Sequence, residues 1–138
     1  MNRIELRVEP TPDFGPAVEV IIDGRSLTEL LRAIELPHAV EQKREELAGS
    51  YAGLQPHKWR SLSETDDAGR RAVLSCTCGE VGCWPLRVRI ETAARTVTWR
   101  DFHGPLGPEG IYASLGPFVF DRARYDAEVA RVARHPRS

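Results

Sequence analysis

The stretch Leu86-Arg87-Val88-Arg89-Ile90-Glu91-Thr92-Ala93-Ala94-Arg95-Thr96-Val97-Thr98-Trp99-Arg100-Asp101-Phe102 holds two alternating runs joined by a short link. In the first run Val88 and Ile90 point one way and Arg87, Arg89 and Glu91 the other; in the second, Val97 and Trp99 share a face. A period of two is the signature of a half-buried strand. The link from Thr92 to Arg95 is short enough for a hairpin. Upstream, Arg71-Ala72-Val73-Leu74-Ser75-Cys76 reads as a further strand, so the centre of the chain reads as a three-stranded antiparallel meander.

The N-terminal end repeats the pattern. Ile4, Leu6 and Val8 alternate with Glu5, Arg7 and Glu9, and Val18 to Ile22 follows a turn rich in Pro and Gly and closes at Asp23-Gly24. The pair predicts a hairpin with a longer loop. Ser26 and Glu29 have capping-box spacing at the head of a helix striped by Leu27, Leu30, Leu31 and Ile34. Pro37 is expected to break that helix or to start another, and His38 to Ala48 reads as a short solvated helix ending near Gly49. Tyr51 to Trp59 reads as irregular, Ser61 to Gly69 as a polar loop, and His103 to Gly116 as a long Gly/Pro loop. Phe118 to Phe120 is a short apolar segment, after which Asp121 caps a last helix with Tyr125, Val129 and Val132 on one face. The expectation is a single α+β domain over residues 1–138, an antiparallel sheet of about five strands with two or three helices packed on one face.

Composition narrows the function. Of 138 residues 41% are apolar and 28% charged, and 19 basic side chains against 20 acidic leave a net charge of −1. That balance gives no global basis for binding nucleic acid. No apolar run reaches the length of a membrane span, and the charged start Met1-Asn2-Arg3-Ile4-Glu5 lacks the apolar core of a signal peptide. The expected location is the cytoplasm; the sequence names no partner, leaves another protein open and gives no indication of nucleic acid or membrane.

Chemistry is dense at one place, Cys76-Thr77-Cys78-Gly79-Glu80-Val81-Gly82-Cys83. Cys76 and Cys78 share a face if the strand continues, and Gly79 and Gly82 permit a tight turn that returns Cys83 opposite Cys78. Three readings compete. Thiolates are preferred zinc ligands, and a structural zinc wants four, so Cys76, Cys78 and Cys83 would need a fourth ligand. His103 is the first candidate, provided it ends at the same pole of the sheet, which the spacing leaves open; His57 is the second. Alternatively Cys78 and Cys83 form a disulfide that Cys76 attacks, making a small thiol-redox protein. Finally, the three cysteines pack as small hydrophobes. An odd count excludes a complete intramolecular disulfide framework.

Elsewhere the catalytic signatures are missing: there is no Gly-x-Ser-x-Gly elbow, no His-Glu-x-x-His, no phosphate loop and no dinucleotide fingerprint. Asp101 and His103 lie two apart on a strand and are expected to share a face, as an acid/base pair beside Trp99 or as an exposed hairpin end. Trp59, Trp84 and Trp99 read as core.

The string Leu74-Ser75-Cys76-x-Cys78-Gly79-x-x-Gly82-Cys83-Trp84-Pro85-Leu86, with Leu115-Gly116-Pro117-Phe118-x-Phe120-Asp121-Arg122 downstream, resembles a family of small bacterial proteins without an established activity. The resemblance covers about residues 72–126. It implies no catalytic residues; it implies that the cysteine turn, Trp84 and the Gly-Pro-Phe segment belong to one site or one structural unit. The sequence reading ends at a non-enzymatic binding or interaction module whose cysteine turn is a structural zinc site or a tight structural turn.

Overall fold

The computed structural model describes residues 1–11, 15–60, 69–75, 84–106 and 109–135, without the side chains of Arg60 and Glu109. The architecture is α+β, with two antiparallel sheets and two α-helices among the described residues. Strands β1 (Ile4–Glu9), β2 (Ala17–Ile22) and the two-residue β3 (Arg25–Ser26) form one sheet. Strands β4 (Ala52–Gly53), β5 (Arg70–Ser75), β6 (Leu86–Thr92), β7 (Thr96–His103) and β8 (Phe118–Asp121) form the other, in sequential order. The expected meander is therefore the middle of the five-stranded sheet. The N-terminal hairpin stays outside that sheet and makes its own, pairing Ile4 with Ile22 and Glu9 with Ala17.

Both edges of the five-stranded sheet are stitched to the hairpin. Val18 N–H donates to the Leu54 carbonyl at 2.7 Å beyond β4, and Asn2 N–H donates to the Val119 carbonyl at 2.7 Å on β8. Gly53 permits the first contact: a Cβ there would lie 2.1 Å from the Val18 carbonyl oxygen. The space enclosed is filled by one apolar cluster that draws on both sheets and both helices. At its centre Trp99 is fully buried, stacked on Trp59 at 6.4 Å and met edge-on by Phe120 at 5.6 Å. Its Nε1–H donates to the Tyr125 hydroxyl at 3.1 Å, which satisfies the polar edge of a buried indole.

Helix α1 (Leu27–Glu41) runs through Pro37 without a break. Pro37 is on the exposed side, and so is Ala33, whose carbonyl loses its helical partner on the solvent side of the helix. Leu27, Leu31, Glu35 and Ala39, spaced by four, are buried on both sides of the proline and hold the helix in register. The separate helix expected over His38 to Ala48 does not form. α1 instead ends in a Schellman arrangement, with Lys43 at φ 58°, Arg44 N–H donating to Ala39 O at 2.7 Å and Lys43 N–H to Val40 O at 3.0 Å. A 3-10 turn over Glu45–Leu47 follows. Ser26 makes no side-chain cap, against the capping-box expectation, because β3 pairing with Ile21 already sets its backbone.

Tyr51 to Trp59, read as irregular, carries β4, a 3-10 turn over Pro56–Arg60 and the buried Tyr51, Leu54 and Trp59. Helix α2 (Arg122–Ala133) begins as expected, the Asp121 carboxylate accepting from Arg124 N–H at 3.0 Å. It buries Tyr125, Val129 and Val132. Most of the polar loop, residues 61–68, lies outside the described residues.

Candidate functional site

Cys76, Cys78 and Cys83 lie outside the described residues; the strands on either side of them do not. β5 ends at Ser75 and β6 starts at Leu86, with Leu74 paired to Leu86, so the two strands that flank the cysteine segment have those ends at one pole of the sheet. β7 runs antiparallel to β6 and pairs His103 with Arg87. His103 therefore ends at the pole of the cysteine stems, one strand away, and is half-buried. His57 sits elsewhere. The carbonyl of its neighbour Lys58 accepts from Arg71 Nη2 at 3.3 Å, at the start of β5 and away from Ser75. Among the described residues no three His, Cys, Asp or Glu side chains converge as a cation site.

Trp84, the residue after Cys83, is held at φ 58°. It is half-buried and packs against both the main core and a small second cluster of Ala39, Ala48 and Leu106. Its buried Nε1 has no hydrogen-bond partner among the described residues.

Asp101 and His103 do not form the pair that their spacing suggests. The β6–β7 register slips between Arg87 and Arg89, and Asp101 adopts φ 54° in the resulting bulge. The bulge puts Arg100 and Asp101 together on the exposed side, while Phe102, between Asp101 and His103, is buried. The Asp101 carboxylate instead meets Arg89 Nε at 3.1 Å, and its carbonyl accepts from Arg70 Nε at 2.8 Å. Trp99 lies under the sheet in the core, on the other side from the exposed Asp101.

One polar cluster was not anticipated. Glu35 is fully buried. Its Oε2 accepts from the Tyr51 hydroxyl at 2.5 Å and from the Tyr112 hydroxyl at 2.6 Å, and its Oε1 accepts from Gly49 N–H at 2.9 Å. Leu106 N–H donates to the Tyr112 hydroxyl at 3.3 Å. Burial, and next the hydrogen bond to Glu35, pushes both tyrosine hydroxyls well above their ordinary pKa of 10.0. The signal available in the sequence was the row itself: Glu35 falls four after Leu31 and four before Ala39, on the apolar side of α1. A carboxylate sealed from solvent, with both oxygens occupied, organises the fold rather than meeting a substrate.

Comparison of the chain with protein-family models, with curated proteins and with solved structures finds no match. The functional reading therefore rests on the residues themselves.

Proposed function

We propose that the protein is a non-enzymatic binding or interaction module whose cysteine-rich turn holds a structural zinc. What supports this is one placement: His103 ends at the pole of the sheet where β5 ends and β6 starts, the strands that flank the cysteine segment. Cys76, Cys78 and Cys83 supply three thiolates, and His103 is the fourth ligand that a closed tetrahedral site needs. Bound metal ties the β5–β6 connection to the end of β7. The reading places the protein in the reducing cytoplasm, with another protein as its partner. No helix among the described residues is long and apolar enough to cross a membrane.

Native mass spectrometry of the protein purified without chelator tests the reading. The expected mass exceeds that of the chain by one zinc, and a chelator removes the excess and lowers the melting temperature. A metal-free mass with chelator-independent melting sinks the proposal. A mass short by two protons points instead to a disulfide and a thiol-redox role.

A further inference from the structure

The pole opposite the cysteine stems carries a second feature. A cleft of about 860 Å³ opens between the start of β1, the turn after β2, the end of β8 and the first turns of α2. Its volume falls within the roughly 300–1,000 Å³ of small-molecule sites. β8 reaches this pole where Asp121 pairs with Thr96, at the end of β7 away from His103. The site is thus separate from the metal reading, and neither depends on the other.

The side chains lining the cleft divide into engaged and unengaged groups. The three carboxylates are engaged. Glu5 pairs with Arg7 at 3.0 Å, Asp121 caps Arg124 N–H, and Glu128 accepts from Leu6 N–H at 2.9 Å and from Arg131. Asn2 is engaged as well, donating to Asp23 at 2.7 Å and accepting from Val119 N–H at 2.8 Å. Arg3 and Arg124 line the same cleft, and among the described residues neither guanidinium has a hydrogen-bond or ion-pair partner. The apolar Ile4, Ile21 and Phe120 also line the cleft but are themselves buried. Guanidinium is suited to the planar, bidentate geometry of an oxyanion.

We propose that this cleft binds a small organic anion, its carboxylate or phosphate held between Arg3 and Arg124. Chemical-shift titration of the full chain tests it, with octanoate, octyl phosphate and octanol as probes. The expected result is saturable movement of the Asn2–Glu5 and Arg124–Glu128 amides with at least one anion, the tighter of the two naming the head group. Octanol is expected to leave those amides in place. Arg3→Gln and Arg124→Gln each weaken the anion by about tenfold, in line with loss of a charge-assisted hydrogen bond. Both arginines are exposed, so the variants keep the parent melting temperature. Three results overturn the proposal: no saturable shift with either anion up to about 10 mM (weaker than almost any specific small-ligand site), octanol binding as tightly as the anions, or an affinity unchanged in both variants. Repeating the titration with chelator present keeps this outcome distinct from that of the zinc reading.

Discussion

Tyr112 donates its hydroxyl proton to Glu35 at 2.6 Å across 77 residues of sequence, inside a core sealed from solvent. With Tyr51 and Gly49, it ties α1 to the segment after it and to the 3-10 turn over Glu109–Tyr112. Removing the acceptor leaves the buried Tyr51 hydroxyl and the part-buried Gly49 N–H without a partner, at about 1–3 kcal/mol for a buried donor, while Tyr112 keeps the Leu106 carbonyl at 3.0 Å. Glu35→Ala is therefore expected to lower the unfolding free energy by about 2 kcal/mol or more, read from urea denaturation. Glu35→Gln keeps one acceptor oxygen and costs less.

Gly104 belongs to the same arrangement. A Cβ at this position would sit 2.3 Å from the Tyr112 hydroxyl oxygen. Gly104→Ala must push the phenol off Glu35, at about 1–3 kcal/mol for overpacking. In a Glu35→Ala background the Tyr112–Glu35 bond is already gone and only the Leu106 carbonyl remains as acceptor, so the same substitution should cost less there. A double-mutant cycle measures the difference, and strictly additive costs would show that the two sites are not coupled through Tyr112.

The three tyrosines, Tyr51, Tyr112 and Tyr125, are all buried. Burial holds each hydroxyl above its ordinary value of 10.0, pushing Tyr125 up to about 12 and the other two higher. A raised folded pKa on a group that ionises to an anion means that the unfolded chain loses its protons first. The stabilisation is fully present below pH 10 and is lost as pH rises from there through the folded values. Absorbance at 295 nm should thus show almost no tyrosinate at pH 10–11 in the native protein, then a single cooperative rise as the fold is lost. A gradual titration centred near pH 10 would mean that the hydroxyls are open to solvent.

What the sequence disclosed follows from what local patterns encode. The central meander and the N-terminal hairpin were legible because strict alternation reports one wet and one dry face. The joining of both sheet edges to the hairpin was not, because it rests on single bridges at Asn2 and Val18 that leave no periodic mark. Pro37 misled because its cost depends on which side of α1 it faces. Glu35 was passed over because a glutamate near polar residues reads as solvated until Tyr51 and Tyr112, both in stretches read as loop, are brought to it. The pole on which His103 ends was settled only by its register with Arg87.

The outer edge of β1 is closed by side chains of α2. Leu6 N–H donates to Glu128 Oε2 at 2.9 Å, and the Leu6 carbonyl accepts from Arg131 Nη2, while Arg131 also pairs with Glu128. The two side chains stand where a neighbouring strand would, and an open edge is a template for association. The bonds to Arg131 and to Leu6 N–H hold the Glu128 carboxylate below its ordinary 4.5, against a smaller opposing effect of burial. A depressed folded pKa gives stability that is present above pH 4.5 and lost as pH falls through the folded value. Glu128→Ala should cost about 1 kcal/mol and should flatten that acid limb. If its melting temperature tracked the parent at every pH from 2 to 6, the carboxylate would not be holding the edge.

The two histidine candidates for the metal corner make opposite predictions. His103 shares a pole with the cysteine stems through its pairing with Arg87, whereas the turn holding His57 is fixed near Arg71 at the other end of β5. His103→Ala should leave a three-thiolate site with an open position, which binds zinc more weakly and releases it faster to a chelator. His57→Ala should leave both the stoichiometry and the release rate as in the parent. Each cysteine replaced singly by Ser should lower zinc occupancy at least as far as His103→Ala does. Release rates followed with a colorimetric chelator separate the two histidines directly. Loss of zinc from the His57 variant, with retention in the His103 variant, would reverse the assignment of the fourth ligand.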